Sequence, residues 1–315
     1  MRSILFIFIC IIPFFALAQK SKKKKNNEFT LDVYDKELLN KYQDTLAQYM
    51  TAMRYEPDDV LRINACYDFI PLFVKALKVP ASFLFNFDSL KHISCIYPED
   101  KSFRIFTWQL EFNNSEFRYY GVLQFNSKDV HAITFYDFSN QIDNYKDTIT
   151  DAKHWYGAVY YNMITKKIKG KNYYTIFGWK GINIFGTIKV ADVLHFDEEG
   201  SAIFGAPIFY ITDSLTQEQN IDARYCLEFK RDASTTLNYD TEKKMIVYDH
   251  VIDEVSPELK RPFAQIPDGT YEGFQWKKGK WQHVDMVFDV VMDEPFFSKP
   301  IFMDNKGKTM PPMKK

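Results

Sequence analysis

Residues 172–186 read NYYTIFGWKGINIFG and carry five aromatic side chains and three glycines. Along a strand, neighbouring side chains point to opposite faces of the sheet. One face of this segment would therefore carry Tyr173, Thr175 and Phe177, and the other Tyr174 and Ile176. Largely apolar residues on both faces are typical of a strand that is covered on both sides. The segment therefore predicts a buried strand that opens a hairpin.

Two other interpretations of this stretch were weighed. An exposed aromatic platform for a ligand stays open, with Trp179 as its natural centre. A phosphate-binding loop is disfavoured, because the glycines neither precede Gly-Lys-Ser/Thr nor open a helix. In the buried interpretation, Gly178 lets a ring or another backbone approach closely.

The same two-residue period continues through most of the chain after residue 100. It recurs in FRIFTWQLEF, RYCLEFK and VDMVFDVVM, and glycine-containing turn signals separate the apolar runs. Successive hairpins without intervening helices predict a large antiparallel meander. The fold class expected is therefore α+β and mainly β. The meander could form a sandwich, a barrel or an irregular propeller.

Before residue 80 the period is helical. Two apolar stripes at three- and four-residue spacing predict two helices joined by a short turn near Pro57. The first stripe contains Leu38, Leu39, Tyr42, Leu46, Tyr49, Met50 and Met53, and the second Leu61, Ala65, Phe69, Phe73 and Leu77. Pro71 is expected to kink or break the second helix. The two helices form a helical hairpin packed on the β meander.

The first eighteen residues have the pattern of a secretory signal peptide. Arg2 precedes an apolar run, and Ala16, Leu17 and Ala18 form a small-x-small cleavage site. Cleavage is expected after Ala18, and export to the periplasm, the cell surface or the medium follows. The alternative is an uncleaved N-terminal anchor. No later stretch is apolar enough for a transmembrane segment, so the mature chain is expected to have none.

Charge is distributed unevenly along the chain. Arg2 and five leader lysines account for six of the 40 basic residues, which leaves 34 against 41 acidic residues, a balance near −7 from residue 26 onward. The leader lysines are Lys20, Lys22, Lys23, Lys24 and Lys25. They form a solvated tether or a weak contact with an anionic membrane surface. Nucleic acid is not expected as a partner, because no basic patch interleaves with the aromatic residues.

These patterns divide the chain into five segments. They are a signal peptide (1–18), a basic disordered leader (19–31), the helical hairpin (32–80), the antiparallel β body (81–295) and a basic, proline-containing tail (296–315). Three cysteines remain after cleavage, Cys66, Cys95 and Cys226. An odd number leaves at least one thiol free and excludes a disulfide scaffold, while a Cys66–Cys95 bridge stays open.

Several segments resemble a family of secreted, signal-peptide-bearing bacterial proteins of unknown function. They are SFLFNFDSLKHIS, FRIFTWQL, RYYGVLQF, YYTIFGW and MIVYDH, and the similarity runs roughly from Ser82 to Asp285. The resemblance implies an exported bacterial protein with a mostly β core. It implies no activity and no catalytic residues.

Catalytic signatures are missing from the sequence. It contains no Gly-x-Ser-x-Gly, no His-Glu-x-x-His, no Walker loop and no Gly-x-Gly-x-x-Gly. No cofactor and no metal site are predicted. Paired carboxylates could support glycoside hydrolysis, and the candidates are Asp137, Asp143, Asp147, Asp151, Glu198 and Glu199.

Five residues are weak candidates for a binding site. Trp179 lies in the aromatic segment, while Trp276 and Trp281 flank a predicted hairpin tip and are expected to be partly exposed. His283 and Asp285 are two apart on a predicted strand and share a face, so they could orient an imidazole or supply metal ligands. That face is opposite Val284, Met286 and Phe288, so it is expected to meet solvent.

The function predicted from these observations is that of an exported, non-catalytic protein of the periplasm or cell surface. It would be a structural or binding component of the envelope, with an envelope protein or a glycan as its partner. One alternative is a secreted hydrolase that acts on glycan or peptide. Another is an adaptor whose helical hairpin docks a protein partner.

Overall fold

The computed structural model describes residues 29–113, 115–212, 218–254 and 264–288. The predicted signal peptide, its cleavage site, most of the leader with its lysine run, and the proline-containing tail lie outside these ranges. Within them, the chain forms two helices followed by strands in three sheets. None of the three described sheets closes into a barrel, and the predicted α+β, mainly β class is confirmed.

The helical hairpin consists of α1 (Val33–Tyr55) and α2 (Asp59–Leu77). Each helix begins at an aspartate, Asp32 or Asp58, whose carboxylate accepts a hydrogen bond from backbone N–H groups of the first turn. The expected break at Pro71 is wrong, because α2 continues through this residue. Pro71 lies on the exposed side of α2, while Phe69 and Phe73 on the other side are fully buried and hold the helix on a sheet.

The strands are numbered in chain order. They are β1 (Ser94–Ile96), β2 (Phe103–Glu111), β3 (Phe117–Phe125), β4 (Ala132–Tyr136), β5 (Thr150–Asp151), β6 (Val159–Ile168), β7 (Lys171–Gly181), β8 (Gly186–Phe196), β9 (Ala202–Phe204), β10 (Phe209–Thr212), β11 (Gln219–Asp222), β12 (Tyr225–Lys230), β13 (Leu237–Asp240), β14 (Met245–Asp253), β15 (Gln265–Lys277) and β16 (Lys280–Val284).

Three sheets are built from these strands. The first sheet has the order β1-β2-β3-β4. The middle sheet has the order β5-β9-β8-β7-β6, with β12 also paired to β8. The outer sheet has the order β11-β10-β16-β15-β14-β13, and its β10–β16 pair is parallel while the other pairs are antiparallel.

Two of the connecting turns show why the hairpins form where the glycines predict them. Lys169 and Gly170 both have positive φ between β6 and β7, and so do Lys278 and Gly279 between β15 and β16. Positive φ at both central residues matches the right-handed twist of the flanking strands.

The layers stack in the order helical hairpin, first sheet, middle sheet and outer sheet. One face of β2, with Phe106, Trp108 and Leu110, packs against the helices, and its other face packs against the middle sheet. β7 is likewise covered on both sides. Its Ile176 belongs to the apolar cluster shared with the first sheet, and its Phe177 belongs to the cluster shared with the outer sheet. The buried-strand prediction for residues 172–181 is therefore confirmed. At Gly178 an added Cβ would lie 2.8 Å from the Tyr160 ring, which is the close approach expected there.

The last strand corrects the expectation for residues 284–290. β16 ends at Val284, and Met286 and Phe288 are exposed rather than inward. The inward residue of β16 is instead Trp281, which is fully buried and donates from Nε1 to Thr175 Oγ1 at 3.1 Å. The sequence pattern assigned the wrong face because it does not show that the strand ends at Val284; beyond that point Phe288 packs on the ring of Tyr271 in β15, with ring centroids 5.2 Å apart.

Candidate functional site

An open cleft of about 650 Å³ lies where the helical hairpin meets the ends of several strands. We call it the hairpin cleft. Its wall contains Met50, Met53, Arg54, Arg62, His92, Ser94, Gln109, Glu111, Phe112, Asn113, Ser115, Val159, Tyr160, Tyr161 and Trp179. Aromatic and apolar side chains with a few polar groups are the usual lining of a small-molecule site, and the volume is in the usual range.

Trp179 is the sequence-predicted candidate that the structure places in this cleft. It comes from the end of β7 and is half-buried. The edge of its ring meets Phe117 of the first sheet, with ring centroids 6.1 Å apart. Because the middle sheet supports the backbone and Phe117 supports the ring, the indole has a fixed position beside the opening.

Arg62 joins the helical hairpin to the first sheet at the base of the cleft. Its Nε donates to Glu111 O at 3.0 Å, and its Nη1 donates to the carbonyls of Glu56 and Pro57 at 2.8 and 3.0 Å. Nη2 donates to Asn113 Oδ1 at 2.8 Å. These bonds fix the turn between α1 and α2 against the end of β2.

Glu111 carries the only carboxylate among the described residues that line the cleft. Its Oε1 is 3.2 Å from Arg231 Nη2, and its Oε2 is 3.8 Å from Arg54 Nη1. Arg54 is half-exposed and lies in the last turn of α1. The closer partner of Glu111 is therefore Arg231, and Arg54 keeps an open side toward the cleft.

Gln109 supplies a hydrogen-bond acceptor with no partner recorded among the described residues. Its Oε1 is buried. A buried acceptor without a donor costs free energy, roughly 1–3 kcal/mol. The rest of the Gln109 side chain lines the cleft.

The other four predicted residues lie on the outer sheet. Trp281 is fully buried, so its expected exposure is wrong, while Trp276 is partly exposed as expected and meets Trp281 edge to face at 4.9 Å. The expectation that His283 meets solvent is also wrong, because its side chain is only 10% exposed. It lies on the same face of β16 as Trp281, at the end of the interface between the middle and outer sheets.

His283 and Asp285 belong to a group of alternating carboxylates and imidazoles. His283 Nε2 lies 2.9 Å from Glu272 Oε2, and His283 Nδ1 lies 3.1 Å from Asp285 Oδ1. His250 Nε2 lies 3.7 Å from the other oxygen of Glu272, and His250 Nδ1 lies 2.8 Å from Asp268 Oδ2. We call these five residues the histidine cluster. Each imidazole lies between two carboxylates.

Hydrogen bonding controls the acidity of Glu272 at the centre of the histidine cluster. Burial raises the pKa of Glu272, but hydrogen bonds from His283 and Tyr248 outweigh it and keep this pKa below its ordinary value. The Tyr248 hydroxyl donates to Glu272 Oε2 at 2.8 Å. Glu272 therefore stays ionised and is a poor general acid near neutral pH. Among the described residues, no three His, Cys, Asp or Glu side chains form a group able to hold a metal ion.

Of the carboxylates considered for glycoside hydrolysis, Asp143 and Asp151 line one further open cavity of about 650 Å³. Asp151 Oδ1 accepts from the backbone N–H groups of Lys153 and His154, at 2.9 Å each, and lies 2.8 Å from His154 Nδ1. Burial raises the pKa of Asp151, and these hydrogen bonds more than reverse the effect. Its carboxylate therefore caps a short helical turn and is not tuned to act as an acid.

The structure thus separates the predicted candidates into two places and adds residues that sequence reasoning missed. In the hairpin cleft the missed residues are Arg54, Arg62, Gln109 and Glu111; in the histidine cluster they are His250, Asp268 and Glu272. The sequence does contain one indication of Arg62, because a charged residue stands next to the apolar stripe of α2. The sequence contains no such indication of Glu272, since its hydrogen-bond partners come close only after three strands pair.

No protein-family model matches this chain, and no curated protein matches it either. Neither described helix is long and apolar enough to cross a membrane. All three described cysteines, Cys66, Cys95 and Cys226, are free thiols, so the Cys66–Cys95 bridge left open by the sequence is not formed.

Proposed function

We propose that this protein is an exported, non-catalytic binding component of the periplasm or cell surface, and that it holds an envelope glycan in the hairpin cleft. Export is supported by the signal-peptide pattern of residues 1–18 and by the resemblance to secreted bacterial proteins. The observation that carries the binding proposal is the cleft itself, which is lined by the ring of Trp179 together with polar side chains such as Gln109 and Arg54.

The chemistry of the lining favours a sugar. A pyranose ring has an apolar face that packs against an indole, and hydroxyl groups that need both donors and acceptors. Trp179 and Tyr161 supply aromatic surface, while Gln109, Asn113 and Arg54 supply polar groups around this aromatic surface.

The two alternatives receive less support from the described residues. For the adaptor, Leu38 is 39% exposed, but Tyr42 and Tyr49 are half-buried and pack on the core of the hairpin. For the hydrolase, the contact of His283 with Glu272 is the favouring observation. However, the low pKa of Glu272 makes this carboxylate unsuited to donate a proton.

The test is binding of the mature chain to a panel of envelope glycans, measured by isothermal titration calorimetry. We expect a glycan ligand to be found, and Trp179→Ala to weaken its binding about tenfold or more, because the stacking surface is lost. Trp276→Ala is the matched control: it removes a second partly exposed tryptophan that is not in the cleft, and binding should not change.

The same panel separates the alternatives. Cleavage of a glycan that persists in Trp179→Ala but is lost in His283→Ala would replace the binding proposal with the hydrolase. Equal loss of binding in Trp179→Ala and Trp276→Ala, or no binding to any glycan, would also overturn it. Thermal unfolding of each variant checks that the fold is retained.

A further inference from the structure

The hairpin cleft contains a buried positive charge that no carboxylate neutralises directly. Arg62 is about nine-tenths buried, and every acceptor recorded for it is uncharged: three backbone carbonyls and the Asn113 amide oxygen. A buried guanidinium normally has an anionic partner, because leaving water is costly for a charge. The missing partner indicates room for an anion.

One donor of this guanidinium has no acceptor recorded among the described residues. Arginine has five N–H groups. The four hydrogen bonds of Arg62 use one on Nε, two on Nη1 and one on Nη2, so one N–H of Nη2 is left. Since Arg62 also lines the cleft, this donor is available to a bound molecule.

A second arginine adds to the positive charge of the cleft. Arg54 is held only loosely by Glu111, at 3.8 Å, because Glu111 is paired more closely with Arg231 at 3.2 Å. Of the charged residues that line the cleft, Arg54 and Arg62 are cationic and Glu111 is the one carboxylate, which leaves a net charge of +1. The closer partner of this carboxylate is Arg231, which is not among the lining residues. The chain from residue 26 onward has the opposite sign, with 41 acidic against 34 basic residues.

We propose that the ligand of the hairpin cleft is an acidic glycan, one whose sugars carry a carboxylate, as a hexuronate does. This inference rests on the proposed function and specifies its ligand. The carboxylate pairs with Arg54 and the remaining N–H of Arg62, and the sugar ring packs on Trp179. Charge-assisted hydrogen bonds to arginine are stronger than neutral ones, so the carboxylate supplies specificity.

The experiment compares matched acidic and neutral ligands. The probes are oligomers of galacturonate, of alginate and of hyaluronan, each beside its carboxyl-reduced counterpart of the same linkage and length. Binding to the mature protein is measured by calorimetry at about 50 mM and about 500 mM NaCl, because salt screens the charge term. We expect at least one acidic oligomer to bind about tenfold tighter than its reduced form at low salt, with a smaller ratio at high salt.

Three single-residue variants test the arginine assignment. Arg54→Gln should weaken binding of the acidic form far more than binding of the reduced form, so that the preference for the acidic form is lost. Glu111→Gln should strengthen acidic binding, because it removes the competing carboxylate. Lys171→Gln is the control: it removes one exposed positive charge from the opposite end of β7, and the preference should stay the same.

The outcomes distinguish this inference from the proposed function. If neutral and acidic oligomers bind equally through Trp179, the glycan-binding proposal stands and the inference is overturned. If the preference for acidic oligomers survives in Arg54→Gln, or if Lys171→Gln removes it as well, the inference also fails. If no glycan binds, both fail.

Discussion

Three arginines in the described part of the chain are buried, and their charges are stabilised in different ways. Arg224 is paired with Asp192, with Nε and Oδ1 3.1 Å apart and both side chains buried. Arg104 donates to the carbonyls of Phe85 and Ser82 at 2.7 and 2.8 Å and lies over aromatic rings. The acceptors of Arg62 are also uncharged, as those of Arg104 are, but Arg62 is the one of these three that lines the hairpin cleft. The buried arginine with the least charge compensation is thus the one best placed to meet a ligand.

At the same scale, Glu272 makes stability depend on pH. Its pKa is lower in the folded protein than its ordinary value of 4.5. The ionised form therefore stabilises the fold above that ordinary value, and this contribution is lost as pH falls through the folded pKa. We expect Glu272→Gln to lower the free energy of unfolding at pH 7, and the difference from the parent protein to shrink toward pH 3. Urea unfolding at several pH values measures it.

Glu198→Gln is the control for this measurement. Glu198 is largely exposed and lies 3.5 Å from Lys171, an ion pair of the kind that contributes little to stability. Glu198→Gln should change the free energy of unfolding only slightly at every pH. A Glu272→Gln effect that does not vary with pH would contradict the linkage.

Individual residues also show the limit of sequence reasoning about the site. Trp179 could be singled out from its aromatic neighbours, and Asp285 from its spacing to His283. Glu272 lies eleven positions from His283, and Arg54 lies 57 from Glu111. Contacts at such separations depend on strand register and on how the layers stack, and neither can be derived from local periodicity.

Helix α2 is the element in which the local preference of one residue, a proline that disfavours helix, disagrees with the packing that keeps the helix continuous. Pro71 has no N–H to donate to the preceding turn, yet the helix spans Asp59–Leu77. Pro71→Ala restores that donor on the exposed side, at the cost of a more flexible unfolded chain. We expect the free energy of unfolding to rise by about 2 kcal/mol, the balance of a helix penalty of about 3 and an entropy gain of about 1.

Urea unfolding of Pro71→Ala checks this expectation, with Asp68→Ala as the comparison. Asp68 is exposed on the same helix, so its replacement should change stability by less than about 0.5 kcal/mol. A Pro71→Ala protein that is less stable than the parent would mean that the helix depends on the proline.

The types of the secondary-structure elements were the most predictable part of the fold. Which face of each strand is buried was the least predictable. The alternation in β2 and β7 was assigned correctly, because both strands have apolar residues on both faces and are covered on both sides. At β16 the faces were exchanged, since Met286 and Phe288 continue the pattern past the end of the strand at Val284. Periodicity shows which residues share a face, but the neighbouring layer decides which face is buried.

Over the whole molecule, each layer covers a face of the next. The helical hairpin covers Phe106, Trp108, Leu110 and Val122 of the first sheet. Deletion of residues 29–78 would expose this apolar face, and faces of that kind promote aggregation. We expect the shortened protein to bind the dye ANS and to sediment as aggregates.

Leu38→Ser is the control for the deletion, because Leu38 is already exposed and its replacement uncovers nothing. This variant should stay monodisperse and should not bind the dye. A shortened protein that is monodisperse and unfolds cooperatively would show instead that the three sheets fold without the helical hairpin.

The place of Trp281 in the chain affects the order in which the protein can be completed. Its ring fills the space between the middle and outer sheets, and β16 joins β10 to β15, two strands that are more than fifty residues apart. Synthesis supplies this strand after every other described strand. A nascent chain that has not yet reached residue 281 therefore has an outer sheet in two unconnected pieces and an empty space at its centre. The final folded state is accessible only after the strand that contains Trp281 has been made.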